Sequence, residues 1–255
     1  MKHLTYLLSI GLLLAAATVH GQTAPTRDIP FHPGERLEFA ISYGVVPAGT
    51  MELKIEDLET LNGRPAYHFV SSAESNRAVS FLYELDTDEE AWFDAHELYS
   101  LKYKRRSIEN DKTRIKEYVF DQKRQVRIDG EGETETASPR AVDQLSMIYY
   151  LRLLPFEPGA RFSLRNQADP GDNPIGIRVL KKERVKVPAG AYETYVLQLD
   201  LTTDSGVFKK GGENRVWVTT DARHVPVKLS SKIGLGTFQA EMVEYTAGKP
   251  VATAR

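Results

Sequence analysis

The sequence has no cysteine. Disulfides, thiolate metal sites and a cysteine nucleophile are therefore excluded. Charge of one sign is also missing: 33 Lys and Arg stand against 35 Asp and Glu, for a formal net charge of −2. The acids and bases are interspersed, and no stretch is basic enough to track a phosphate backbone, so no nucleic-acid partner is expected. There is no G-x-S-x-G elbow to present a nucleophilic serine. His32, His68, His96 and His224 stand singly, without H-x-x-x-H spacing, so no metal site is expected. "KKGG" (Lys209–Gly212) and "GLG" (Gly234–Gly236) do not open helices, and a phosphate loop needs one. These absences leave no catalytic residues and no cofactor to propose, and the expected protein is not an enzyme.

The first residues, "MKHLTYLLSIGLLLAAATVHGQ", place Lys2 before an apolar run that ends at Val19-His20-Gly21. This is the layout of a secretory signal peptide over residues 1–21, with a cleavage-like site directly after a run marginal for spanning a bilayer. The expected location is the periplasm, with no stable membrane span after signal cleavage. Residues 22–30 read as an extended lead-in carrying Pro25 and Pro30, and residues 247–255 as a tail. Between them, residues 31–246 suit a single β-rich domain, long enough to fold without staples.

Period-two alternation dominates that domain. In "RLEFAISYG", Leu37, Phe39, Ile41 and Tyr43 alternate with Glu38, Ala40 and Ser42; Met51, Leu53 and Ile55 do the same in "TMELKIED". One apolar face at this period marks half-buried antiparallel strands. Asn62-Gly63 is a hairpin turn signal, and similar strand patterns continue to Tyr245. One segment departs from the pattern. "SPRAVDQLSMIYYLRLLP" predicts a helix over residues 138–154, with Ser138 as cap, Pro139 in the first turn, Asp143 toward the positive end of the dipole and Arg152 toward the negative end. Its apolar residues cover most of its circumference, which points to burial. The expected fold is therefore mainly β: a large curved antiparallel sheet or open half-barrel, with one buried helix packed on the concave face.

"VPAG" occurs twice, at Val46–Gly49 and Val187–Gly190. The two copies do not share the offset of 125 residues that aligns other features: Phe31–Arg36 with Phe156–Arg161, Ala66-Tyr67 with Ala191-Tyr192, and Trp92 with Trp217, the only two tryptophans. VPAG thus reads as turn chemistry used twice. The offset has two readings, which stay open: two similar halves of one sheet (about 31–130 and 156–246) joined by the helix, or the general likeness of antiparallel strands.

"GERLEFAISYGVVPAGTMEL", "VDQLSMIYYLR", "VPAGAYETYVLQL" and "RVWVTTDARHVPVKLSSKIGLGTFQAEM" together resemble the bacterial secreted family catalogued as domain of unknown function 3108, over about Phe31 to Tyr245. The resemblance implies an exported β-rich envelope protein without an assigned activity. At fold level it is similar to the curved, helix-plugged sheets of periplasmic lipoprotein carriers such as LolA, and fold alone does not carry function.

The residues suggest where a ligand would sit. An apolar groove between sheet and helix is expected to hold a lipid or other apolar ligand, with Tyr43, Trp92, Leu145, Tyr149 and Trp217 as lining candidates. An envelope protein is the other expected partner. Two alternatives are a hydrolase acting on envelope glycan or lipid, with acids assembled across strands, and a purely structural envelope interaction protein. "DTDEE" (Asp86–Glu90) reads as a solvated bend, "DPGDNP" (Asp169–Pro174) as a hairpin loop, and "KYKRR" (Lys102–Arg106) as a basic strand whose charge is split between two faces.

Overall fold

The computed structural model describes residues 29–80, 85–109, 112–165, 174–200, 213–233 and 236–250. The segment read as a signal peptide, most of the expected lead-in and the end of the tail lie outside these residues. So do Phe81, Tyr83, Asp169–Asn173, Lys209–Gly212 and Gly234.

The alternating segments form β1 (Arg36–Tyr43), β2 (Val46–Leu61), β3 (Arg64–Ser75), β4 (Leu85–Asp94), β5 (Ser100–Glu109), β6 (Lys112–Asp121), β7 (Val126–Asp129) and β8 (Thr134–Thr136). A short α1 (Arg77–Ser80) lies between β3 and β4. After the helix α2 (Gln144–Leu151) come β9 (Arg161–Leu164), β10 (Ile175–Val187), β11 (Gly190–Asp200), β12 (Glu213–Thr219), β13 (Pro226–Ile233) and β14 (Gly236–Thr246). All fourteen strands belong to one antiparallel sheet, in the order β8-β7-β6-β5-β4-β3-β2-β1-β14-β13-β12-β11-β10-β9. Two meanders are thus joined through the first and last strands, Arg36 pairing with Thr246. The sheet is not closed into a barrel, since β8 and β9 remain its two edges.

Strands β1–β6 and β9–β14 fall at the 125-residue offset to within a few residues. The details of the turns agree. Gly34 (φ 82°) and Gly159 (φ 90°) both take the left-handed conformation that glycine adopts without penalty. Each donates across to the next strand but one in the chain, Gly34 N–H to the Ile55 carbonyl and Gly159 N–H to the Val179 carbonyl, both at 2.8 Å. Register shifts interrupt the ladders beside both tryptophans, between Trp92 and Phe93 and between Trp217 and Val218.

Three expectations are corrected. The first VPAG is not a turn: Val46–Gly49 opens β2, after a turn at Gly44-Val45, and a register shift leaves Ala48 as the extra residue opposite β1. Gly49 is required there because a Cβ would lie 2.1 Å from the Glu74 carbonyl oxygen of β3. The second VPAG is a turn, with Pro188-Ala189 between β10 and β11. Asp86–Glu90 is not a bend but the start of β4.

The helix is the third correction. It covers Gln144–Leu151 rather than residues 138–154, and its cap is Asp143 rather than Ser138. The reason lies in β5. Arg140 takes a positive φ of 55°, and the Ala141 carbonyl accepts from Ser100 N–H at 3.0 Å. The chain from Pro139 to Ala141 is therefore committed to the sheet. Asp143 then accepts from the Ser146 N–H at 2.8 Å, satisfying a donor that the helix leaves open.

α2 packs on β3 and β4. Tyr149 stacks on Phe69 with ring centroids 3.9 Å apart, and Phe31 meets both rings edge-on. The second half is covered differently. The tip of its β10–β11 hairpin curls over, and Ala189 N–H donates 3.0 Å to the Met242 carbonyl of β14. A register shift leaves Val243 unmatched between Glu38 and Phe39 of β1, beside that carbonyl.

Candidate functional site

The concave face is the side of the sheet that carries Phe69, Phe93 and α2. Strand registers assemble its side chains into rungs. In the first half, Tyr67, Phe93 and Ser100 form the rung beside α2. Phe69, Ala91, Tyr103 and Tyr118 form the next. Then come Ser71, Glu89, Arg105 and Lys116, and finally Ala73, Thr87, Ser107 and Arg114. The face is aromatic near the helix and polar away from it.

In the second half, Leu197, Val216, Leu229 and Ala240 form one rung, and Leu199, Asn214, Ser231 and Phe238 the rung beyond it. Tyr43 extends this last rung, pairing with Phe238 at a ring separation of 4.8 Å. Here the face stays apolar apart from one internally satisfied pair, Ser231 Oγ donating to Asn214 Oδ1 at 2.6 Å.

Burial divides the face lengthwise. Near α2 the apolar side chains Leu53, Ile55, Phe69, Phe93, Leu145 and Tyr149 are buried. At the far end Ile41, Met51, Leu199, Leu229 and Phe238 are only half-buried, and Tyr43 is 42 % exposed. The helix fills one end of the concavity only.

Two buried polar groups hold the filled end together. Asp143 accepts from the hydroxyls of Ser100 and Ser146 as well as from the Ser146 amide. Burial pushes its carboxyl above the usual carboxylate range, against those hydrogen bonds. Arg152, the C-cap of α2, forms a bidentate pair with the buried Glu35 and donates to the carbonyls of Pro30 and Arg223. Its own carbonyl lies 2.9 Å from His224 Nδ1, and burial lowers the pKa of that imidazole. Among the described residues, Tyr149 Oη has no hydrogen-bond partner although the residue is 1 % exposed.

The polar rungs contain a third group. Tyr103 donates to Glu89 Oε2 at 3.0 Å, and Arg105 Nε lies 3.7 Å from the same carboxylate. Burial, with Glu89 second, pushes the Tyr103 phenol well above its ordinary range, so it remains a donor. Among the described residues, Thr87 Oγ1, on the neighbouring rung, has no hydrogen-bond partner although the residue is 6 % exposed.

The five lining candidates do not converge. Leu145 and Tyr149 are core residues of the helix itself, and Tyr43 lies at the far, half-buried end of the face. Trp92 and Trp217 alternate with core neighbours and occupy the convex face. Each indole donates to a glutamate two strands away, Trp92 to Glu59 at 2.8 Å and Trp217 to Glu183 at 2.6 Å. Each also sits beside a cross-strand lysine, Lys102 or Lys228. As groove-lining residues they are therefore corrected: simple alternation puts them on the wrong side of Phe93 and Val218. Conversely, Thr87 and Glu89 lie in a segment read from the sequence as a solvated bend, and Arg105 in a strand read as splitting its charge between two faces. Counting two residues at a time from Phe93 and Tyr103 would have exposed them.

Among the described residues, no helix is long and apolar enough to cross a membrane. No curated protein matches the chain. The fold is similar to the crystal structure of a β-barrel-like protein of domain of unknown function DUF1849 from Brucella abortus, with a TM-score of 0.57 at 7 % identity over 86 % of this chain and 99 % of that one. A hypothetical protein from Chlamydia trachomatis aligns with a TM-score of 0.38 at 10 % identity, over 89 % and 93 % of the two chains. The model of the family described as "Protein of unknown function (DUF3108)" matches residues 38–243, and the chain belongs to that family.

Proposed function

We propose that this is an exported, non-enzymatic protein of the periplasm that binds a lipid or other apolar ligand on its concave face. The observation that carries the reading is the half-buried end: apolar side chains packed to full burial near α2 give way to half-buried ones from Ile41 to Phe238 on the same face. Apolar surface in a concavity, with a few polar groups converging on it, is the usual composition of a ligand site. Export rests on the signal-like segment at residues 1–21. The absence of enzymatic chemistry is argued from the buried carboxylates among the described residues, since Asp143 is engaged as a helix cap, Glu35 as the partner of Arg152 and Asp94 as the partner of Arg64.

The test is native mass spectrometry of the mature protein, taken gently from a periplasmic extract, with organic extraction of anything bound. A stoichiometric lipid-sized adduct is expected. A clean apoprotein mass that persists after incubation with envelope lipids overturns the reading and moves the search to protein partners.

A further inference from the structure

The two ends of the sheet carry different turns, and two neighbouring hairpins make the contrast. The β2–β3 turn is Asn62-Gly63, a polar pair that such turns favour. The β1–β2 turn, at the other end, is Gly44-Val45. Val45 is 97 % exposed, and Val46 and Tyr43 beside it are 47 % and 42 % exposed. No charged residue occurs from Phe39 to Met51. Apolar residues scattered singly over a surface need no explanation, but a cluster on a turn, where polar residues are usual, does.

The tip is fastened on both sides. Gly44 N–H donates to the Thr237 carbonyl of β14 at 2.9 Å. The Tyr43 ring packs on Phe238 and fills the space that a Cβ on Gly236 would need. From the end of β3, the side-chain amide of Asn76 donates to the Pro47 carbonyl at 2.8 Å and its N–H to the Ala48 carbonyl at 2.9 Å. Pro47 itself has no N–H to satisfy. These backbone groups beside the apolar tip are paired within the protein, as entry into an apolar phase demands.

We propose that this tip inserts into the surface of a lipid bilayer, so that the half-buried end of the concave face opens onto the membrane. The assignment rests on the binding reading above and names the surface where the ligand is exchanged. Position supports it: Tyr43 flanks the turn and also extends the rung of Leu199 and Phe238, so the tip continues the ligand face. Area decides against a protein partner. Three side chains on one turn offer far less than the roughly 800 Å² that each partner of a stable complex buries. A bilayer needs no complementary surface, and its hydrocarbon accepts apolar side chains and rejects charge.

The test is flotation of the full mature protein with vesicles of phosphatidylethanolamine and phosphatidylglycerol, beside calorimetric titration with dodecyl maltoside. The protein is expected to float with the vesicles. Val45→Asp should weaken vesicle binding about tenfold or more, since it puts a charge where the most exposed apolar side chain stood. Val45→Leu should keep or strengthen binding, and Asn62→Asp, at the other end of the sheet, should leave it unchanged. Dodecyl maltoside should bind wild type and variants alike, because neither turn contributes to the rungs. Circular dichroism establishes that each variant is folded, and if Val45→Asp is not, Val45→Ser takes its place with a smaller loss. No flotation, or flotation that the substitution does not weaken, overturns the membrane assignment, while detergent binding leaves the binding reading standing. A dimer in sedimentation velocity that Val45→Asp disperses overturns it in favour of a second copy of this chain. Flotation lost in Val45→Asp, without detergent binding by any of the proteins, overturns the binding reading and leaves the tip as a membrane contact alone.

Discussion

The two halves of the sheet begin with the same turn and bury it with different chemistry. Phe31-His32-Pro33-Gly34-Glu35-Arg36 and Phe156-Glu157-Pro158-Gly159-Ala160-Arg161 make the same backbone hydrogen bonds, and Phe31 and Phe156 are both buried. At the fifth position the first half has Glu35, matched to Arg152 of the helix, and the second has Ala160. The first half is covered by a separate helix that must be fastened to it. The second is covered by its own hairpin, fastened by the backbone bond from Ala189 to Met242. Polar side chains are used where the chain has to be tied back on itself, and backbone serves where it need not be.

The largest expected effect comes from breaking that asymmetry. Arg152→Ala leaves Glu35 buried without its cation and should cost about 3–5 kcal/mol in urea unfolding. Replacing both partners, E35A/R152M, gives the first half the alanine of the second and should recover much of that loss. A double variant as unstable as the single one would show that the pair specifies the helix position rather than only neutralising charge.

A difference in pH response comes next. His224 lies in the turn before β13 with φ 44°, and Leu98 holds the corresponding turn before β5 with φ 57°. Only the second half therefore has an imidazole at that position. Burial lowers the folded pKa of His224 below its ordinary value of 6.5. The unfolded chain then binds more protons as pH falls below 6.5, so this contribution to stability is present above that value and is lost on acidification through the folded pKa. His224→Asn, which tolerates the left-handed backbone, should flatten the dependence of the urea midpoint on pH in that window. An unchanged slope would exclude His224 as its source.

Trp92→Phe and Trp217→Phe should each cost about 1 kcal/mol, since each removes one indole-to-carboxylate hydrogen bond. Matching losses would sharpen the equivalence of the convex faces. A markedly larger loss at Trp92 would point to its stack on His68, at 4.5 Å, which has no counterpart around Trp217 among the described residues. The smallest effect is expected from Tyr149→Phe. Its hydroxyl has no partner, so removing it should be neutral or stabilising by up to about 1 kcal/mol. A clear destabilisation would reveal a bound water or ligand at that oxygen.

Much of this architecture was legible in the sequence because the strands obey a period of two. Leu37, Phe39 and Leu53 alternate cleanly and are buried as the pattern requires. The helix was legible from Leu145 and Tyr149, but its start was not. Ser138 and Pro139 form a good local cap, and the pairing of Ala141 with Ser100, a tertiary contact, overrides it. Thr134–Thr136 has no apolar face to announce a strand, because it lies fully exposed at the edge. The tryptophans misled because they were assigned to the inward phase that their neighbours Phe93 and Val218 already occupy. Their positions follow from parity, and Glu–Lys neighbours cover them on the outside. The polar rung escaped because Asp86–Glu90 was read as a bend, so the count of two was not carried back from Phe93 to Glu89 and Thr87.

The seam between β1 and β14 has a consequence for how this chain is made. Arg36 waits for Thr246, and Tyr43 for Phe238, so a strand synthesised early keeps one open edge until nearly the whole domain exists. Pairings this far apart in sequence form slowly, and an open edge in the meantime invites the wrong partner. Completion of the sheet is thereby tied to the synthesis of β14. Until that strand is available the edge of β1 has no partner, and whatever shields it in the interval protects the whole domain from mispairing.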